Sequence, residues 1–95
     1  MIPTPPPQQK RSTTDTDVRI GKMIAILRRN RRLSQSDMAE KLDVSFQQIQ
    51  KYEKGRNRIS ITRFLNICMI IGIKPSDFIK KLEGDLELEC GNKVI

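Results

Sequence analysis

Apolar side chains recur at three- and four-residue steps through the middle of the chain, the spacing of a helix with one buried face. Ile20, Met23, Ile24 and Leu27 show this spacing in the first such stretch. Short polar, Gly- or Pro-containing segments separate it from four later stretches. The pattern predicts five helices, over residues 17–31, 35–42, 46–54, 61–71 and 75–82.

Residues typical of helix ends flank these stretches. A Ser followed three residues later by an acidic or amide side chain has the spacing of a capping box, and Gly after a helix provides a left-handed stop. Caps are predicted at Ser34 with Asp37, at Ser45 with Gln48, at Ser60, and at Asp15 or Thr16. Stops are predicted at Gly55, Gly72 and Gly84, and Pro75 suits the first turn of the fifth helix.

The two ends differ from the middle in composition. The first sixteen residues are rich in Pro, Gln, Ser and Thr, and such a stretch buries too little apolar surface to offset its ordering entropy. Near the other end, the alternating Leu86, Leu88 and Cys90 fit a short strand or a frayed tail, of which we favour the tail. The predicted organisation is a disordered tail at 1–16, one domain at 17–82 and an acidic tail at 83–95.

The positive charge is concentrated in the predicted domain. The chain has 18 Lys and Arg against 11 Asp and Glu, a net charge of +7. Residues 17–82 hold a net +9, whereas residues 83–95 hold −3. A basic excess in a small domain attracts polyanions, most commonly nucleic acid. Charge alone leaves simple solubility as an equal alternative.

The composition excludes several classes of protein. The chain has no His, the usual general base at neutral pH, and two Cys cannot make a four-ligand metal cluster or a disulfide framework. Its longest apolar run is far shorter than the roughly 20 residues of a membrane span, and prolines stand where a signal peptide has its apolar core. We therefore expect a cytoplasmic protein that is not an enzyme and has no metal, cofactor or membrane partner.

Only three residues, Asp43 to Ser45, join the second and third predicted helices. A turn this short makes two helices cross steeply, as in a helix-turn-helix. Ile49 and Tyr52 give the third helix an apolar underside, while its other face is polar, with Gln47, Gln48, Gln50, Lys51 and Lys54. Gln can pair with adenine and Lys can reach guanine acceptors. On this helix alone, base recognition and ordinary solvated side chains are equally supported.

The stretch SQSDMAEKLDVSFQQIQKYEKGRNR resembles the phage repressor and Cro-type (XRE) helix-turn-helix proteins. The resemblance covers about residues 17–80 and includes the leading ILRR and the Ile-Gly-Ile at the end of the fourth helix. It implies an all-α, compact five-helix bundle of the lambda-repressor-like DNA-binding type, with the helix-turn-helix at helices two and three. It also implies a sequence-specific regulator of transcription, with repression as the expected effect.

The resemblance assigns roles to single residues. Those that face base edges are Ser45, Phe46, Gln47, Gln48 and Lys51. Those that contact the DNA backbone are Gln35, Arg56, Asn57 and Arg58. Arg28 and Glu53 match an internal pair that holds the first helix to the third. For Phe46, contact with a thymine methyl and packing on the domain both stay open, and Arg29, Arg31 and Arg32 are expected only to add to the positive field.

Two positions depart from the family pattern. Asp43 occupies the first turn position, where the family usually has Gly because the backbone takes a positive φ. Asp tolerates that conformation better than most residues, at some cost. Cys68 occupies a position that is usually small and buried, so we expect it to pack in the core rather than to act as a redox switch.

The resemblance also implies a homodimer. In this family the end of the domain often forms a two-fold contact, and here that end carries Met69, Ile70, Ile73 and Phe78. These side chains either complete the core or form a partner surface, of which we favour a dimer surface over roughly residues 69–80. A dimer of this kind places two recognition helices about 34 Å apart, one turn of duplex, and therefore requires an inverted-repeat operator in double-stranded DNA.

The sequence also bears on three other functions. An antitoxin that binds a protein partner, its toxin, as well as its own promoter is the alternative, with the fourth and fifth helices or the acidic tail as docking surface. An enzyme is rejected because the chain lacks His, a metal cluster and a glycine-rich phosphate loop. An RNA-binding protein ranks low because aromatic side chains for stacking make up only 4% of the chain.

Overall fold

The structure is a computed structural model that describes residues 14–90, with side chains through Gly84. Its elements are α1 (Asp15–Asn30), α2 (Gln35–Leu42), α3 (Phe46–Glu53), α4 (Ile61–Ile71) and α5 (Pro75–Cys90). The all-α, five-helix prediction is confirmed. None of the helices in this range is long and apolar enough to cross a membrane.

Side-chain caps define the starts of the middle helices as predicted. Ser34 Oγ accepts a hydrogen bond from Asp37 N at 2.9 Å, and the Asp37 carboxylate accepts from Ser34 N at 3.0 Å, a complete capping box. At α3, Ser45 Oγ accepts from Gln48 N at 3.0 Å, but the reciprocal half of the predicted box is not formed. A neutral amide is a weaker acceptor than a carboxylate, which favours the complete box at Asp37 over the one predicted at Gln48.

The first helix begins inside the predicted tail. Its cap is Thr14, not Asp15 or Thr16: the Thr14 hydroxyl accepts from Asp17 N at 3.3 Å, and the Asp17 carboxylate accepts from Thr14 N at 2.7 Å. Thr14 gains this position because only a residue three places before Asp17 can complete the box with that carboxylate. Residues 1–13 of the predicted tail lie outside the described range.

The last helix continues well beyond its predicted end. We expected it to stop at Leu82, with Gly84 as the terminator and a frayed tail beyond, but α5 extends to Cys90. Gly84 does not have the positive φ of a terminating glycine, in contrast to Gly72 at φ 83°. A glycine inside a helix costs only about 1 kcal/mol relative to alanine, which neighbouring helix-forming residues can offset. The last five residues lie outside the described range.

The core forms where the helices meet. α1 packs on α3 and α5, α2 packs on α3 and α4, and α4 packs on α5. The largest fully buried side chains are Ile24, Met38, Ile49, Ile67, Ile71 and Phe78, together with the smaller Cys68. Burial raises the pKa of the Cys68 thiol, which keeps it protonated and unreactive, as expected of a packing residue.

The expectation that Phe78 lies at a dimer surface is wrong. Phe78 is completely buried, and its ring meets that of Phe64 edge-to-face with centroids 5.0 Å apart. An aromatic ring that fills the core this way cannot also contact a partner. Ile70 and Ile73 are half-buried and pack against the core, whereas Met69 is 73% exposed.

Candidate nucleic-acid interface

A tight turn sets the angle between α2 and α3. Asp43 ends α2 in the left-handed conformation, with φ 60° and ψ 47°, as predicted from its position. The N–H of Val44 donates to the carbonyl of Ala39 at 3.0 Å, which fastens the turn to α2. Because Ala39 is small and buried, the two helices can approach closely at this point.

The third helix turns one face inward and one outward. Ile49 and Tyr52 are buried in the core, so they fix how α3 sits on the domain. Gln47, Lys51 and Lys54 are exposed and follow each other at four and three residues, which places them in one line along the outer face. At the start of the helix Ser45 and Phe46 are also exposed, and Gln48 is half-buried.

A buried ion pair holds α3 to α1. Arg28 Nε donates to Glu53 Oε2 at 2.7 Å, and Arg28 Nη2 donates to Glu53 Oε1 at 3.2 Å. The side chains are only 10% and 7% exposed. Arg28 Nη1 also donates to the carbonyl of Leu33 at 2.7 Å. One guanidinium thereby ties α1 to the end of α3 and to the segment that leads into α2.

The same carboxylate also accepts a hydrogen bond from Gln35, a contact that local sequence does not predict. Gln35 is the first residue of α2, and its Nε2 donates to Glu53 Oε1 at 2.9 Å. Nothing in the sequence near Gln35 indicates this bond, because its partner lies 18 residues away. The bond fixes the amide of the one predicted backbone-contacting residue that lies on α2.

The loop after α3 is fixed against the start of α1. Gly55 has φ 71°, and a Cβ there would lie 2.6 Å from the Cα of Val18, so the loop lies directly on α1. The N–H of Arg56 donates to the carbonyl of Lys51 at 2.9 Å. Arg58 Nε lies 3.5 Å from Asp17 Oδ2. The loop thus presents Arg56 and Arg58 as exposed side chains and Asn57 as a half-buried one.

Several contacts act on the Asp17 carboxyl at this junction. Partial burial raises its pKa, but hydrogen bonds from the Thr14 backbone and hydroxyl outweigh that effect, and the Arg58 guanidinium adds to them. The net result is a pKa below the usual range for Asp. Asp17 is therefore ionised at neutral pH and links the cap of α1 to the loop that carries Arg58.

Other basic residues have structural contacts that the sequence did not reveal. Arg31 Nη2 donates to the carbonyl of Gly72 at 3.0 Å, at the end of α4. Arg31 therefore has a structural contact as well as the expected contribution to the positive field. Arg63 Nη1 approaches the carbonyl of Leu42 at 3.4 Å, at the end of α2. A guanidinium beside the last carbonyls of a helix interacts favourably with the helix dipole.

The arrangement supplies hydrogen-bond donors and positive charge but no metal centre. Among the side chains of residues 14–84, no three Cys, Asp or Glu converge on a point that could hold an ion. What the predicted residues share is an outward position on α3, on the loop after it, or at the start of α2. Such a surface suits contact with a polyanion of regular shape.

Comparison with known proteins agrees with this geometry. Residues 24–78 match a family model described as "Helix-turn-helix". A protein named "Uncharacterized HTH-type transcriptional regulator" from Sinorhizobium medicae is 37% identical over 78 residues, which cover 82% of this chain and 56% of the relative. An "Uncharacterized transcriptional regulator in ATPase CF(0) region" from Rhodospirillum rubrum is 38% identical over 84% of this chain and 75% of the relative.

Solved structures show the same fold. The clp gene regulator ClgR from Corynebacterium glutamicum superimposes with a TM-score of 0.74 at 18% identity, over 86% of this chain and 87% of that one. The restriction-modification controller protein C.AhdI from Aeromonas hydrophila gives 0.65 at 22% identity, over 68% and 98% of the two chains. The alignment spans little more than half of the Sinorhizobium relative's length. By its match over most of the folded core and its identity to these relatives, the chain belongs to the helix-turn-helix family of the phage repressor and Cro type.

Proposed function

We propose that this protein is a sequence-specific regulator of transcription that binds double-stranded DNA and reads the major groove with α3. The observation that carries the proposal is the outward line of Gln47, Lys51 and Lys54 on a helix whose opposite face is locked into the core. The groove of B-DNA admits one α-helix, and amide and ammonium groups match the acceptors and donors on base edges. The rigid underside keeps that face in one orientation.

The proposed interface divides the work between two sets of residues. Base edges are read by Ser45, Phe46, Gln47, Gln48 and Lys51. The sugar-phosphate backbone is contacted by Gln35, Arg56, Asn57 and Arg58. Backbone contacts fix register and orientation, whereas base contacts carry sequence information. The bond between Gln35 and Glu53 supports this division, because it couples a backbone contact to the last turn of the reading helix.

The proposal includes a homodimer that contacts its partner through α4. Ile61, Leu65 and Met69 are 72%, 46% and 73% exposed and follow each other at four-residue steps, so they form one apolar stripe. This stripe replaces Phe78 as the centre of the proposed contact. A two-fold dimer would place two copies of α3 about one duplex turn apart on an inverted repeat.

The remaining parts of the proposal follow from this mode of action. Binding at a promoter would exclude polymerase, so we propose repression, in the cytoplasm and without a catalytic step or cofactor. No described feature favours the antitoxin alternative, because the apolar stripe on α4 is equally suited to a second copy of this chain.

Selection of bound duplexes from a random pool tests the proposal directly. We expect enrichment of one motif with two inverted half-sites whose centres are about one helical turn, 10–10.5 base pairs, apart. Enrichment of a single motif without an inverted repeat would contradict the dimer, but it would still support sequence-specific DNA binding. Retention of DNA with no enriched sequence would contradict sequence-specific regulation.

A further inference from the structure

An open cleft of about 390 Å³ lies between α1 and α3, beside the first turn of α2. Its walls include Lys22, Ile26 and Arg29 from α1, Gln35 from α2, and Lys54, the residue that directly follows α3. Lys22 has no role so far, and Arg29 is expected only to add to the positive field. Because the cleft begins at Gln35 and Lys54, it continues the proposed DNA surface onto a helix outside the helix-turn-helix.

The cleft carries positive charge that no acidic side chain of residues 14–84 neutralises. Lys22, Arg29 and Lys54 are exposed, and none of them forms an ion pair with an acidic side chain of residues 14–84. The acidic group in the cleft is Glu53, whose two oxygens accept from Arg28 and Gln35. Three cations without an acidic partner among residues 14–84 therefore surround one compensated carboxylate, and the backbone contact of Arg29 Nε with the Ala25 carbonyl leaves its charge in place.

Hydrogen-bond donors lie at the start of α2, beside the cleft. Gln35 Nε2 uses one of its two N–H groups on Glu53, which leaves the second for another acceptor. The backbone N–H groups of Gln35 and Ser36 are at the first two positions of α2, where no carbonyl of the helix can reach them. Ser34 and Asp37 satisfy each other and leave those two N–H groups unbonded. Such donors at a helix start favour an anion.

The wall of the cleft is apolar between the charged groups. Ile26 is 53% exposed there. A nucleic-acid backbone has the same alternation, since each anionic phosphate is followed by a deoxyribose with an apolar C–H surface. A small inorganic anion would leave Ile26 without a contact.

We infer that this cleft binds a phosphodiester of the duplex backbone, next to the one at Gln35, with Lys22 and Arg29 as further backbone-contacting residues. This inference rests on the proposed DNA-binding function and extends it to α1. It predicts that the footprint on DNA is longer on one strand than the helix-turn-helix alone would give. The contacts are independent of sequence, so they stabilise complexes with any duplex.

Salt dependence of binding tests the inference without knowledge of the operator. The full chain is titrated with a fluorescent duplex of random sequence from 50 to 200 mM salt, as wild type and as Lys22→Ala, Arg29→Ala and the double variant. Each lost phosphate contact lowers the salt slope by about 0.9. The affinity advantage of wild type over each single variant should thus shrink about 3.5-fold across this range, and about 12-fold over the double variant.

The control variant is Lys80→Ala, an exposed lysine on α5 that removes the same charge away from the cleft. Lys22→Gln and Arg29→Gln repeat the test with longer neutral side chains, in case shortening disturbs α1. Slopes that fall for the cleft variants and not for the control support the inference. If wild type binds the duplex and all variants keep its slope, the cleft is not a phosphate site and the DNA-binding proposal stands. If wild type binds no duplex at 50 mM salt, both fail.

Discussion

Arg28 and Glu53 lie 25 residues apart in the sequence, yet the guanidinium holds both oxygens of the carboxylate, at 2.7 and 3.2 Å. The pair joins α1 to the last turn of α3. Since Gln35 donates to the same carboxylate, three helices meet at Glu53. The orientation of α3 therefore depends on the bidentate contact between Arg28 and Glu53, as well as on the apolar underside of the helix.

Loss of this contact should cost much of the stability of the domain. Arg28→Met leaves the Glu53 carboxylate buried without its charge partner, and removal of one member of such a pair destabilises by about 3–5 kcal/mol. Urea unfolding followed by far-UV circular dichroism measures this free energy. The matched control is Arg29→Met, whose side chain is exposed, with an expected change within about 0.5 kcal/mol. Equal changes in the free energy of unfolding for Arg28→Met and Arg29→Met would show that the Arg28–Glu53 pair does not stabilise the domain.

Replacement of Asp43, the left-handed residue of the turn, by glycine should stabilise the domain. Asp43 has φ 60°, a conformation that glycine adopts freely and that a Cβ disfavours. Its carboxylate also lies at the negative end of the α2 dipole. We expect Asp43→Gly to raise the free energy of unfolding by about 0.5–1 kcal/mol. Asp43→Ala keeps the Cβ and should destabilise the domain. A lower melting temperature for Asp43→Gly than for wild type would contradict this account of the turn.

Two helical glycines should respond in opposite ways to the same substitution. A Cβ on Gly21 would lie 2.6 Å from the carbonyl oxygen of Glu53 and closer still to that of Tyr52. Gly21→Ala must push α1 away from α3 and should cost about 1–3 kcal/mol. A Cβ on Gly84 meets no atom within 4 Å, so Gly84→Ala should stabilise α5 by up to about 1 kcal/mol. Thermal unfolding of both variants measures these changes in stability. A higher melting temperature for Gly21→Ala than for wild type would contradict the close approach of α1 to α3 at Gly21.

Acid should weaken the junction between α1 and the loop after α3. The pKa of Asp17 is lower in the folded protein than in an unfolded chain, where it has its ordinary value. Its stabilising contribution is thus complete above that ordinary value and is lost as pH falls through the folded pKa. The difference in unfolding free energy between wild type and Asp17→Asn should be largest at pH 7 and should shrink as pH falls below the ordinary pKa of Asp. A difference that stays the same as the solution is acidified would mean that the carboxylate is not the cause.

Local signals predicted most of the fold. Ser34, Ser60 and Gly72 each sit next to the helix end that they mark, and their roles depend on atoms within a few residues. The buried faces also follow from spacing alone, as Ile49 and Tyr52 show. The left-handed conformation of Asp43 was predictable from the family resemblance, because that family usually has Gly at this turn position.

What the sequence did not show depends on distant contacts or on small energy differences. Arg32 has φ 59° with no glycine or asparagine to indicate it; the N–H of Arg32 donates to the carbonyl of Arg29, which fixes the chain there. The bond from Gln35 to Glu53 and the contact of Arg31 with Gly72 join residues far apart in sequence. The passage of α5 through Gly84 reflects a balance of about 1 kcal/mol, which composition does not resolve.

The proposed function requires that α3 contacts the bases of DNA while the loop after α3 contacts the sugar-phosphate backbone. Lys51 and Arg56 give a matched test, since each is exposed and each loses one positive charge on substitution by Ala. The measurement is the dissociation constant of each variant for the selected duplex and for a scrambled duplex at one salt concentration. Lys51→Ala should lower the preference for the selected duplex by about 1–3 kcal/mol, whereas Arg56→Ala should weaken both complexes by the same factor. Equal losses on both duplexes for both variants would contradict the claim.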